Sequence, residues 1–265
     1  MNRSPRLFLF SLLTTLVWLP SLVAQTPAKG ADAKGPDKEV AEKIALLKEV
    51  VADKKFTRDA EGLGAIDVLL QKSQQGVEPK DQQAIVKALE HVLTQGKVRP
   101  HDKTELYVGA AAALGYCGKD GAKVLKAAYQ DKRFPEKSDW IRLREQFLKN
   151  LGRTKDESLV KFLCQEARHN HAPALMAAAG EALGNFEESK EVVRKEIVSE
   201  LMVRYGELAE LASQLGTNVE AQNAQDRLAA IQDKWNATLA KLTRQNFATF
   251  REWQTWYNKH KNQPW

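Results

Sequence analysis

Leu-Gly closes a helix-forming stretch three times in the middle of this 265-residue chain, at Leu114-Gly115, Leu151-Gly152 and Leu183-Gly184. The marks stand 37 and 32 residues apart, inside the roughly 20–50-residue period of repeat arrays. A period of that length holds two helices and two turns. Shifting the first unit by 35 residues lays Val124-Leu125-Lys126 on Leu159-Val160-Lys161 and Gln130-Asp131 on Gln165-Glu166. Such a chain is restricted to stacked helical hairpins, because each hairpin has an apolar face that only a neighbouring hairpin covers. Each glycine follows the last apolar residue of its helix, so Gly115, Gly152 and Gly184 are expected to be C-terminal caps in the left-handed conformation. Asp120, Asp156 and Ser189 stand where the following helices need N-cap oxygens.

Helical spacing extends beyond the marks. Val40, Ile44, Leu47 and Val51 form one stripe, Ile66, Leu69 and Leu70 belong to a second helix, and Ile85, Leu89, Val92 and Leu93 to a third that opens at Glu78-Pro79. No stretch alternates with the period of a strand. After the third mark the helices lengthen. Residues 188–214 are amphipathic through Val192, Val193, Ile197, Leu201, Tyr205, Leu208 and Leu211, and Gly216-Thr217-Asn218 ends the run. Leu228, Ile231, Trp235, Leu239 and Leu242 mark another helix, expected to pair antiparallel with the first and close the stack. The expected fold is all-α: a repeat array over 38–215, then a capping helix and aromatic tail over 216–265.

The stretches YVGAAAALGYCGKDGAKVLKAAYQD, LREQFLKNLGRTKDESLVKFLCQEA and ALMAAAGEALGNFEESKEVVRKE resemble HEAT-like repeats of the short bacterial type also found in phycobilin lyases. The resemblance runs from Glu105 to Tyr205. It implies an α-solenoid that binds another macromolecule, without naming a partner or a chromophore activity. The end of the chain, with Trp235, Leu239, Leu242, Thr243, Phe247, Phe250, Trp253, Trp256 and Tyr257, resembles the Trp-rich tail of bacterial envelope HEAT-repeat proteins. In that tail a glycine commonly follows the threonine. Arg244 stands there instead, which puts a tight turn in doubt.

Arg3 and Arg6 precede an apolar run from Leu7 to Val23, interrupted at Ser11, Thr14, Thr15, Pro20 and Ser21, which ends at Ala24-Gln25. That is the layout of a secretory signal over 1–24. An uncleaved anchor helix is the alternative, since the run approaches the ~17–20 residues that span a bilayer. Either way the remainder is expected outside the cytoplasm, periplasmic or extracellular, and membrane-tethered if the signal stays. QTPAKGADAKGPD, residues 25–37, has too few apolar residues to join a core and is expected to be a disordered linker. Cleavage removes two arginines and leaves 38 basic against 34 acidic residues, a formal charge of +4. The signs are interspersed and no Lys/Arg block alternates with aromatics, which weighs against nucleic acid. No span is expected after cleavage.

Chemistry finds few candidates. Glu166, His169 and His171 form a Glu-x-x-His-x-His pattern with metal-ligand residue types, although zinc needs three or four convergent ligands and no further Cys or His lies nearby. Cys117 and Cys164 allow one disulfide in an oxidising compartment, while their repeat positions read as packing residues. No nucleophile elbow or phosphate-binding loop occurs. The expectation is a protein without enzymatic activity and without a cofactor. Steps of three place Phe247, Phe250, Trp253 and Trp256 on one helical stripe. The stripe reads as a buried cap or as an exposed anchor made by Phe250, Trp253, Trp256 and Tyr257. The expected role is an exported scaffold holding another envelope protein, with a glycan or anionic polymer as the alternative ligand.

Overall fold

A computed structural model describes residues 37–214 and 219–265. The expected signal at 1–24, the linker up to residue 36 and the helix stop at Gly216-Thr217-Asn218 lie outside the described residues. Among those described, eleven α-helices and no strand occur: α1 (Lys38–Ala52), α2 (Asp59–Gln75), α3 (Pro79–Thr94), α4 (Glu105–Leu114), α5 (Gly118–Gln130), α6 (Ile141–Arg153), α7 (Val160–His169), α8 (Pro173–Leu183), α9 (Glu191–Ala212), α10 (Val219–Thr243) and α11 (Phe250–His260). No described helix is long and apolar enough to cross a membrane.

The helices pair in sequence as α1 with α2, α3 with α4, α5 with α6, α7 with α8 and α9 with α10. The even helices make one row, each packing on the next from α2 to α10. In the other row α1 packs on α3, α3 on α5, and α7 on α9. Side chains join α5 to α7: Tyr129 meets the Phe162 ring edge-on at 5.8 Å, and its hydroxyl donates to Glu166 at 2.6 Å. The fold is thus an all-α, solenoid-like stack of five hairpins. The Leu-Gly marks end the second helix of the second, third and fourth.

Local chemistry sets the helix starts. Asp37 accepts from the backbone N–H groups of Glu39 and Val40 at the head of α1, and Pro79 opens α3 as expected. Of the three expected N-caps, Asp156 alone performs as one, accepting from the Ser158 N–H at 3.1 Å. Asp120 lies inside the first turn of α5, and Lys190 holds the cap position expected of Ser189.

Gly115 and Gly184 take the C-cap positions of α4 and α8 as expected, but with φ of −57° and −64°, right-handed values in place of the expected left-handed ones, and Gly152 lies within α6, whose cap is Thr154. Their common property is closeness to the next even helix. A Cβ on Gly152 would lie 2.3 Å from the Ala182 carbonyl oxygen in α8, one on Gly115 would lie 3.1 Å from Asn150 Oδ1 in α6, and one on Gly184 would lie 3.1 Å from Thr238 Oγ1 in α10. The left-handed residues come three positions later in two of the loops, at Gly118 (φ 55°) and Lys155 (φ 54°). At Lys155 a non-glycine residue bears a conformation that disfavours a Cβ by roughly 1–2 kcal/mol. Lys155→Gly is therefore expected to raise the melting temperature by about 1–3 °C, after part of the gain is offset by the freer unfolded chain. An unchanged or lower melting temperature would count against the strain at this turn.

Arg244 also adopts a left-handed φ, of 60°, so the tight turn forms without the glycine. Its N–H bonds the Ala240 carbonyl at 2.9 Å. The expectation of doubt there is corrected: α10 ends on that turn, and Arg244 pairs with Glu188 at 3.1 Å.

Two contacts the sequence left unmarked anchor the stack. Arg99, in the α3–α4 loop, is 0% exposed and grips Asp59 at the head of α2 with Nε–Oδ2 2.8 Å and Nη2–Oδ1 2.7 Å. Its guanidinium lies over the Phe56 and Tyr107 rings, at 5.1 and 5.5 Å from their centroids. At the other end the Trp235 ring of α10 lies against Gly180 of α8, where a Cβ would fall 1.9 Å from Nε1. Thr238 Oγ1 donates to the Gly180 carbonyl at 2.9 Å in the same contact. Small residues along α8 let a fully buried indole reach its backbone.

Candidate functional site

The histidine candidates do not converge. Glu166 takes hydrogen bonds from Tyr129 at 2.6 Å and from Asn170 Nδ2 at 2.8 Å on the same oxygen, so its carboxylate is committed to the α5–α7 junction. Burial first, then the hydrogen bond to Glu166 and its charge, raise the Tyr129 hydroxyl pKa well above its usual value. His169 and His171 are exposed. No group of three metal-type side chains assembles among the described residues. The Glu166, His169 and His171 candidate is corrected to a structural hydrogen-bond junction with two surface histidines beside it.

Both cysteines are free. The bridge allowed by the sequence fails on placement. Cys117 has the side chains of Ser73 and Gln82, from α2 and α3, beside its thiol, whereas Cys164 faces Glu196 and Glu200 of α9. Burial, then those two carboxylates, pushes the Cys164 thiol up to about 12. A thiol held protonated in this way is a poor nucleophile.

The aromatic tail divides into core and rim. Thr249 and Glu252 form a reciprocal capping box that starts α11, with Glu252 N to Thr249 Oγ1 at 3.4 Å and Thr249 N to Glu252 Oε2 at 3.0 Å. Trp253 is 0% exposed, edge-on to Phe247 at 4.9 Å and to Trp256 at 6.3 Å. Its place among exposed anchors is therefore corrected: it is the plug of the cap. Phe250 rests on Tyr205 at 4.9 Å, and a Cβ on Gly206 would meet it at 3.1 Å, so the glycine in α9 lets α11 come close. Phe250, Trp256 and Tyr257 remain half-buried.

Trp265, the last residue of the sequence, is tied into the cap. Its carbonyl accepts from Arg194 Nη2 at 2.9 Å, its indole donates to the His260 carbonyl at 3.1 Å, and its ring lies edge-on to Trp256 at 5.4 Å. Arg194 Nη1 also binds the Leu242 carbonyl at 2.7 Å, so one guanidinium ties the tail to the end of α10. The reason is directional: a cation with five fixed donors holds two carbonyls from separate segments.

This packing leaves α11 with a cleft on each flank. Between α9 and α11 lies an open cleft of about 500 Å³, floored by Met202, Gly206, Ala209 and Phe250, with Val203 46% exposed. Its rim carries Glu207 and Glu210 on one side and Gln254, Tyr257 and Asn258 on the other. Glu207 pairs with Arg204 at 2.9 Å, whereas the Glu210 carboxylate has no partner among the described residues. The opposite flank has a cleft of about 410 Å³ lined by Phe247, Arg251, Glu252, Thr255, Trp256 and Lys259. Neither brings together a nucleophile and a base. Both have what recognition sites use, an apolar floor with a few oriented polar groups.

Sequence reasoning named the rings of α11 but missed the α9 residues opposite them. Val203 and Gly206 carry no motif; they matter because α11 lands beside them. Comparison with protein-family models, with curated proteins and with solved structures gives no match.

Proposed function

We propose that this chain is an exported, non-catalytic helical scaffold that holds another envelope protein in the cleft between α9 and α11. Export rests on the charged start, apolar core and small residue at the cut within residues 1–24. The observation that carries the binding reading is the cleft itself: apolar surface that the fold leaves open, edged by a carboxylate without an internal partner. That chemistry fits an apolar segment flanked by Lys or Arg. The apolar side chains fill the floor while the cation reaches Glu210, which sets orientation more than affinity.

A photo-crosslinking residue at Val203 is expected to capture, in native envelope, a peptide with Lys or Arg within a few residues of the attached apolar side chain. The same residue at Val192, 70% exposed elsewhere on α9, serves as control. Glu210→Lys is expected to reduce capture at least fivefold, the effect of reversing one rim charge. Equal labelling from both positions, or capture unaffected by the charge reversal, would sink the reading. Recovery of the protein in the cytoplasmic fraction would remove the export half of it.

A further inference from the structure

The second cleft has a chemistry unlike the first. Arg251, Thr255 and Lys259 follow one another at steps of four along α11, so they form a straight ridge about 12 Å long between the two cations. Among the described residues neither cation is paired with a carboxylate, and both are exposed. Beside the ridge lie Phe247 and Trp256, with ring centroids 6.5 Å apart. Trp256 is held from several sides, edge-on by Trp253 and Trp265 and stacked on His260 at 5.2 Å. Its orientation is set before any ligand arrives, so little entropy is lost when one binds.

We propose that this flank of α11 binds an acidic polysaccharide, a chain of sugars bearing carboxylates. A pyranose ring has an apolar C–H face and a polar rim, and this strip offers an aromatic surface beside a polar ridge. Phe247 and Trp256 pack against the C–H faces, Thr255 meets hydroxyls, and Arg251 and Lys259 take carboxylates on separate sugars along the chain. The two unpaired cations argue for an anionic chain over a neutral one. The rings argue for sugar over an acidic peptide, which needs the charges alone. The site is separate from the α9–α11 cleft and does not rest on the protein-docking reading.

The test uses the whole chain and three probes of similar length: oligogalacturonate, neutral maltooligosaccharide and poly-glutamate. Oligogalacturonate is expected to quench tryptophan fluorescence on binding, with an affinity that falls as salt rises, because the cations are exposed. The double variant Arg251→Ala/Lys259→Ala is expected to bind it about tenfold more weakly, the loss of two exposed charge contacts, with an unchanged melting temperature. The exchange Arg251→Lys/Lys259→Arg is expected to keep most of the affinity, which separates loss of charge from damage to the helix. Maltooligosaccharide binding as tightly as the uronate would overturn the role of charge, and equal binding by poly-glutamate would make this an acidic-peptide site instead. Wild-type affinity in the double alanine variant would overturn the proposal outright.

Discussion

Asp59→Ala is expected to destabilise the protein by about 3–5 kcal/mol, because it leaves a buried cation without its counter-charge. Arg99 is 0% exposed, and both of its short contacts to a counter-charge go to this one carboxylate. Removing Asp59 leaves a guanidinium buried between Phe56 and Tyr107 with the Val50 carbonyl at 3.4 Å and no anion. For a unit of this size the loss amounts to a fall of roughly 6–20 °C in melting temperature. The companion variant decides the cause. Asp59→Ala/Arg99→Met removes the whole pair and is expected to recover most of the lost stability, because an apolar side chain of similar length carries no desolvation penalty. A double variant as unstable as the single one would show that Arg99 contributes through its backbone position and rings, and not through the buried charge. Chemical denaturation with circular dichroism at constant salt measures both.

Gly152→Ala is expected to cost about 2 kcal/mol, although alanine is the better helix former. The added methyl would lie 2.3 Å from the Ala182 carbonyl oxygen and 2.8 Å from its Cα, which are backbone atoms of α8 that cannot swing aside. The α6–α8 contact must open, and close-packed neighbours transmit the strain. Gly64, in the middle of α2 with nothing within 4 Å of its would-be Cβ, supplies the opposite case. Gly64→Ala is expected to stabilise by about 0.5–1 kcal/mol through helix propensity and a less flexible unfolded chain. Opposite signs from the same substitution would establish close approach as the role of Gly152. A Gly152→Ala protein that melts at or above the wild type would refute it.

These two predictions separate what a linear reading reaches from what it misses. Helix existence, the hairpin repeat and most of the buried positions are legible, because they follow from a period of 3.6 and from repeat spacing. Ile85, Leu89, Val92 and Leu93 are buried as their spacing required, while Val192, placed on an apolar stripe, is 70% exposed. Its helix face at that point has no neighbour, which periodicity does not reveal. At the Leu-Gly marks the cap position of Gly115 and Gly184 is legible, but their right-handed backbone and their close approach to the next helix are not. From sequence alone a glycine after an apolar run reads as a left-handed cap, and its close contact with another helix has no local signature. Arg99 and Asp59 are 40 residues apart with nothing between them to join the two.

The aromatic tail divides along the same line. Steps of three placed its rings on one helix, but steps of three do not say which ring points inward. That was decided by Gly206, which admits Phe250, by Arg194, which ties down Trp265, and by the two flanks of α11 left open once Trp253 is buried. Sequence by itself determined the all-helical stack and the period of its hairpins, because hydrogen bonding and apolar burial act within a few turns of chain. Only the tertiary structure decided which glycines touch a neighbour, which cation lies beneath the surface and which faces stay uncovered. Those depend on how closely helices from distant parts of the chain approach one another, and no local pattern of residues encodes that distance.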